Sequence, residues 1–130
     1  MIYRHNIDPQ ARDTYVFCDI QDSSIADKVI GICPVRSKLV KVMEVHGTAA
    51  GQTCTGAIER LQGTETSGAG DQVATGINFQ GTANTVQTAT IVTSGNEIFE
   101  AGNRVGFNGT GNSASLATMI IVCQFRPVDS

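Results

Sequence analysis

The chain has 130 residues, a mass of 13.7 kDa and a formal charge of −3, from 9 Lys+Arg and 12 Asp+Glu. This length predicts one domain with a single core, and the charge provides no basic surface for nucleic acid. No apolar run reaches about 18 residues, so we expect no membrane span, and the polar N-terminus predicts no secretory signal.

The surface is expected to be polar but weakly charged. Charged residues make up 16% of the chain, against about 25% in an ordinary soluble domain, while glycine and threonine contribute 14 residues each. Such a surface suits packing against protein as much as solvation. Aromatic residues, at 5%, make a poor stacking platform for carbohydrate or single-stranded nucleic acid.

Residues 1–13 are charged, contain Pro9 and show no hydrophobic periodicity, so we interpret them as an N-terminal arm. Residues 14–130 consist of short apolar runs separated by turn residues at intervals of roughly 8–14 residues, which predicts a single all-β domain. We expect an antiparallel, jelly-roll-like β-sandwich of about eight strands. The predicted strands are Tyr15–Ile20, Lys28–Cys33, Lys38–Val45, Gly56–Leu61, Val73–Phe79, Val86–Thr93, Arg104–Asn108 and Leu116–Phe125.

The last predicted strand is apolar on both faces. Alternation places Leu116, Ile120 and Val122 on one face, and Met119, Ile121 and Phe125 on the other. Because an outer strand face in a small sandwich is normally wet, two explanations stay open: a loop covers the strand, or another subunit buries its outer face. The predicted partner contacts are Met119 and Ile121 on this strand, with Ile2, Tyr3, Arg4, Ile7 and Arg12 in the arm.

The four cysteines predict neither a zinc site nor a disulfide framework. Cys18, Cys33, Cys54 and Cys123 include no CxxC pair, and the two histidines do not cluster with them. Three of the cysteines lie in apolar runs, where a thiol behaves as a small hydrophobe. Cys54 differs, because its glycine- and threonine-rich surroundings predict an exposed or half-exposed thiol.

Residues that could perform catalysis are few, and we expect no enzyme and no cofactor. His46 is the only histidine inside the predicted domain, with Cys54 within conceivable reach, yet a satisfied or solvated histidine at a strand end is the favoured interpretation. Glu44 and Glu59 lie in predicted strands beside basic residues (Lys38, Lys41 and Arg60), so cross-strand ion pairs explain them. The glycine runs match no phosphate-binding motif.

Four segments carry a resemblance to a known family: the early strand Tyr15–Ile20, the Pro34–Val45 stretch, the element Glu100–Phe107, and the closing strand that ends Phe125-Arg-Pro. With the Gly/Thr-rich linkers between them, they resemble the small capsid decoration (cement) proteins of tailed bacteriophages. The resemblance implies a virion protein on the capsid surface, assembled in the host cytoplasm. It also implies binding to the major capsid protein and self-association as a homotrimer. The charge, the apolar runs and the motifs of the chain predict no nucleic acid, membrane, metal or small-molecule substrate.

Two other functions stay open. A receptor- or glycan-binding sandwich of a phage fibre, spike or tail would bind through the loops Gln62–Gln72 and Gly109–Ser115. An esterase or protease would depend on His46 as its base.

Overall fold

In a computed structural model of the protein, the described residues are 15–22 and 25–128, with side chains described over 25–128. They form ten β-strand segments: β1 (Tyr15–Asp22), β2 (Lys28–Ile32), β3 (Ser37–Val45), β4 (Cys54–Leu61), β5 (Asp71–Asn78), β6 (Gln87–Thr88), β7 (Thr90–Ile91), β8 (Ile98–Phe99), β9 (Arg104–Gly111) and β10 (Met119–Pro127). The predicted all-β antiparallel sandwich is confirmed. The predicted arm, residues 1–13, lies outside the described residues.

The strands form two antiparallel sheets of five strands each. Sheet A has the order β1-β10-β3-β6, with β8 also paired to β3, and sheet B has the order β2-β9-β4-β5-β7. Successive strands β1 to β4 alternate between the sheets, and the pairing is nested, with β1 beside β10, β2 beside β9 and β4 beside β5. This nested order is compatible with the jelly-roll subtype, which stays a prediction.

Four phenylalanines fill the core between the sheets. Phe79, Phe99, Phe107 and Phe125 are each at most 1% exposed. They meet edge to face, with ring centroids 5.1 Å apart for Phe99 and Phe125 and 6.1 Å apart for Phe79 and Phe107. Burying one such side chain stabilises the fold by about 1.5–3 kcal/mol, so this small sandwich has a core without needing a disulfide.

The predicted strand Val86–Thr93 is divided between the two sheets. Gln87–Thr88 pairs with β3 in sheet A, whereas Thr90–Ile91 pairs with β5 in sheet B. Between them Ala89 is buried, and its N–H donates to the carbonyl of Val42 at 2.9 Å. The small side chain of Ala89 lets the backbone cross close to the core at this point.

The faces of β10 are the reverse of those predicted. Met119 and Ile121 are 0% and 1% exposed and belong to the core, so they are not available as partner contacts. Leu116, placed by alternation on the face of Ile120 and Val122, is buried as well, because the strand begins only at Met119, after a turn in which Thr118 has a φ of 59°. The half-buried outward residues are instead Ile120, Val122 and Gln124.

Candidate docking face

The outer face of sheet A carries a strip of apolar side chains across β3 and β10. Val45 lies directly opposite Ile120, and Met43 lies directly opposite Val122. All four are half buried. Residues directly opposite each other on antiparallel strands have Cβ atoms about 4.5–5.5 Å apart, so the four side chains form one contiguous strip.

This strip lines a shallow cleft, which we call the apolar cleft. Its volume is about 120 Å³, and its lining residues are Met43, Glu44, Val45, Val86, Ile120 and Val122. Val86, the residue before β6, is 60% exposed. The exposed lining of this cleft is almost entirely apolar.

The same face becomes basic toward its other end. Lys41 lies opposite Gln124, and Lys38 lies opposite Arg126. Both lysines are exposed. The outer face of sheet A therefore has an apolar half and a basic half.

A buried carboxylate and a buried histidine lie directly behind the apolar cleft. Glu44 and His46 are two residues apart, point to the same side of β3, and are each 1% exposed. Nδ1 of His46 lies 2.9 Å from Oε2 and 3.1 Å from Oε1 of Glu44, and Nε2 lies 2.9 Å from the carbonyl oxygen of Gly81. The lysine ion pair predicted for Glu44 is thus wrong: its carboxylate faces inward to His46.

Gln87, in β6, connects this pair to Asn78 at the end of β5. Its Nε2 donates to Oε1 of Glu44 at 2.6 Å and to the carbonyl of Asn78 at 2.8 Å, and its Oε1 accepts from the N–H of Asn78 at 2.9 Å. The N–H of Asn84 donates to the carbonyl of His46 at 2.7 Å. Residues 79–86, which we call the crossover loop, are therefore tied to β3 at Gly81, at Asn84 and just beyond the loop at Gln87.

His46 is not arranged as a catalytic base. Its two ring nitrogens face a carboxylate and a carbonyl, and 1% exposure leaves no approach for a substrate. Cys54 is 0% exposed, so the exposed or half-exposed thiol predicted there is wrong. The reason is that Cys54 opens β4, opposite Gly111, and its carbonyl accepts from the N–H of Phe79 inside the sandwich.

The described thiols are shielded from solvent. Cys33, Cys54 and Cys123 are free and buried; the side chain of Cys18 lies outside the described ones. Burial raises the pKa of the Cys33 thiol to about 12 and also raises the pKa of the Cys54 thiol. Since thiolates are the reactive form, Cys33 and Cys54 behave as core residues.

Glu59 also departs from the predicted ion pair. It is 1% exposed, and its Oε1 accepts from the N–H of Gly68 at 2.8 Å, with the hydroxyl of Ser67 at 3.5 Å. The neighbouring Arg60 contacts Asp71 at 3.0 Å instead. The buried carboxylate thereby fixes the loop Gln62–Gln72 onto the outer face of sheet B.

Sheet B carries a second, polar cleft of about 240 Å³ on its outer side. Its lining is neutral and consists of small, hydroxyl and amide residues: Thr55, Gly56, Ala57, Gln72, Thr75, Gly76, Asn108 and Thr110. Gln72 and Thr110 belong to the two loops predicted for a receptor- or glycan-binding protein. The two sheets therefore present chemically different outer faces.

Function has to be argued from these surfaces. The chain matches no family model, no curated protein and no solved structure. Among the side chains the structure describes, no group of three or more His, Cys, Asp or Glu could hold a metal ion. In the same part of the chain, no helix is long and apolar enough to cross a membrane.

The predicted contact residues and the residues that line the apolar cleft have only strand β10 in common. Ile2, Tyr3, Arg4, Ile7 and Arg12 lie outside the described residues, and Met119 and Ile121 are buried. The sequence analysis missed the contact between Glu44 and His46. Alternation over the second half of β3 would have revealed it, because Val42, Glu44 and His46 share the parity that points inward after the bulge between Leu39 and Lys41.

Proposed function

We propose that this protein is a viral structural protein, a capsid decoration (cement) protein that binds the outer capsid surface and stabilises junctions between coat subunits. The observation that carries the proposal is the apolar cleft on the outer face of β3 and β10. A surface of this kind functions by being covered.

The proposed occupant of the apolar cleft is a second copy of the chain, in a homotrimer. Residues 25–128 contain seven acidic and seven basic residues, so copies of this part bring no large net charge together. Closed rotational symmetry is the usual form of a homo-oligomer and would cover the same patch on every subunit.

The proposed capsid contact is the N-terminal arm, residues 1–13. Its apolar residues Ile2, Tyr3 and Ile7 would anchor it between coat subunits, and Arg4 and Arg12 would pair with carboxylates there. A trimer offers three arms, and linked weak sites give an avidity far above that of one contact. Assembly in a reducing host cytoplasm fits the free, buried thiols.

Absolute mass by light scattering on a sizing column, with and without reductant, tests the assembly. We expect one species near 41 kDa, about three times 13.7 kDa, that does not respond to reductant. A monomer at all concentrations contradicts the trimer.

Co-sedimentation with shells of the major capsid protein from the same genome tests the capsid contact. We expect the full chain to bind, and a chain lacking residues 1–13 to fold and to bind more weakly. Equal binding by the two chains contradicts the role of the arm, and no binding by the full chain contradicts the capsid function.

The polar cleft on sheet B supports a second candidate function, the receptor- or glycan-binding module of a phage fibre, spike or tail. Its hydroxyl and amide groups can both donate and accept hydrogen bonds to a hydroxyl-rich ligand. Glycan-array binding that is lost in Gln72→Ala and kept in Ile120→Lys would favour this function over capsid decoration.

A further inference from the structure

We propose that Glu44 and His46 form a proton-dependent latch that holds the crossover loop, residues 79–86, against β3 and so sets one wall of the apolar cleft. This inference rests on the proposed function, in which the apolar cleft is the docking face. It adds a means by which pH regulates that face.

The hydrogen-bond geometry defines how many protons the latch holds. The carbonyl oxygen of Gly81 can only accept, so Nε2 of His46 must carry a proton to make its 2.9 Å contact. The 2.9 Å contact between Nδ1 and Glu44 needs a second proton, carried either by the ring or by the carboxyl group. Both contacts therefore exist together only while the pair holds two protons.

Removing or adding one proton breaks a contact. With a single proton left, one ring nitrogen presents a lone pair to an acceptor, and either the bond to Gly81 or the bond to Glu44 is lost. With a third proton, the carboxyl group of Glu44 becomes a donor itself. Its hydrogen then competes with the N–H groups of Gln87 and His46, which donate to the same two oxygens. The latch is thus closed in an intermediate pH range, and it opens as pH rises above that range or falls below it.

No other charged group is recorded in contact with the pair among the described side chains. From β6 it meets the neutral amide of Gln87. From the crossover loop it meets the carbonyl of Gly81 and the ring of Phe79, whose centroid is 6.4 Å from that of His46. The crossover loop itself contains no titratable side chain. The contacts that hold the latch closed therefore depend on the protons of Glu44 and His46 themselves.

The latch is coupled to the docking face through the chain itself. The loop that Gly81 and Asn84 tie to His46 ends at Val86, which lines the apolar cleft, and the next residue is Gln87, which binds Glu44. When the latch opens, the contacts of His46 with Gly81 and Asn84 no longer fix the loop that leads into Val86. Docking through the cleft is then weakened without any change in the docking residues.

The test follows the latch by NMR in the full chain between about pH 5 and pH 9, a range that brackets histidine titration in proteins. The readouts are the ring ¹⁵N shifts of His46 and the hydrogen-exchange protection of the Asn84 amide, corrected for intrinsic exchange. We expect Nε2 to stay protonated while the latch is closed. Protection of Asn84 should fall about tenfold on the alkaline side, as the loss of one average hydrogen bond predicts.

Two variants make the test specific. Glu44→Gln supplies an amide N–H that can donate to Nδ1 of the neutral ring while its oxygen accepts from Gln87. Both latch contacts then form without the second proton, so the alkaline loss of Asn84 protection should disappear. Glu59→Gln is the matched control, because Glu59 is equally buried but lies in sheet B and contacts a loop amide rather than a histidine. It should leave the Asn84 profile unchanged.

Different outcomes overturn the two proposals. A pH-independent protection of Asn84, or the same profile in the wild type and Glu44→Gln, overturns the latch and leaves the docking face as proposed. A latch that titrates as expected in a chain that stays monomeric and binds no capsid at any pH overturns the proposed function instead. A trimer whose mass does not change as the latch opens overturns the coupling between them.

Discussion

Met43 on β3 lies directly opposite Val122 on β10, and both side chains line the apolar cleft on the outside of sheet A. In the next pair of the antiparallel ladder, Glu44 lies opposite Ile121, and both are buried inside the sandwich. Of two neighbouring residues on one strand, one therefore lies on the surface and the next lies in the core. Substitutions at adjacent positions can separate association from folding.

Charging the outer face at Ile120 should dissociate the protein without unfolding it. Ile120→Lys places an ammonium group in the apolar cleft, which disfavours packing by a second copy, while surface substitutions usually change stability by about 0.5 kcal/mol or less. Light scattering should show 13.7 kDa monomers that still unfold in one cooperative thermal transition, at a lower temperature than the trimer because association stabilises the folded state. Gln124→Lys adds the same charge to the same face, outside the cleft, and should stay trimeric. If both variants stay trimeric, the cleft is not the interface.

Truncating the neighbouring Ile121 should instead destabilise the fold. Ile121 is 1% exposed in the core, so Ile121→Ala removes buried methyl groups and leaves a cavity, at a cost of about 2–5 kcal/mol. Urea unfolding measured by fluorescence or circular dichroism checks this value against Ile120→Ala, which should cost much less. Equal losses for the two variants would mean that the faces of β10 are not distinguished as described.

A glycine at the end of β9 should tolerate no side chain. Gly111 has a φ of 103°, and a Cβ built there would lie 2.2 Å from the carbonyl oxygen of Thr53. Gly111→Ala should therefore cost more than the strain of the left-handed backbone alone. Gly102→Ala is the matched control, with a φ of 88° and no atom within 4 Å of the added Cβ, and should cost about 1–2 kcal/mol. Equal unfolding midpoints would contradict the close approach.

Alkaline pH should destabilise the protein through Cys33. Burial raises the pKa of its thiol from 9.0 to about 12, so unfolding above pH 9 releases a proton that the folded state retains. The Cys33 contribution to stability is complete below pH 9 and is lost as pH rises toward 12, at a slope approaching about 1.4 kcal/mol per pH unit. Cys33→Ala should show a shallower decline between pH 9 and 11. Parallel declines would mean that the thiol ionises equally in both states.

The sequence predicted the strands well because short β-branched runs between glycine and asparagine turns leave few alternatives. The predicted Lys38–Val45 and Arg104–Asn108 lie within the observed β3 and β9. The prediction failed at Leu116, which was placed on the face of Ile120 and Val122 but is buried, because the turn at Thr118 separates it from β10. The backbone conformation of one residue before a strand decides which side chains point inward, and composition does not encode it.

The sequence by itself determined the fold class, the apolar character of the last strand and the scarcity of catalytic groups, because these depend on local pattern and composition. Only the tertiary structure decided the roles of the buried polar residues. Glu44 appeared to be a surface partner of lysine, yet the closing of sheet A buries it against His46 and Gln87. Gln87 is 43 positions away in the chain. A buried carboxylate requires partners that only the packed chain brings within hydrogen-bond distance.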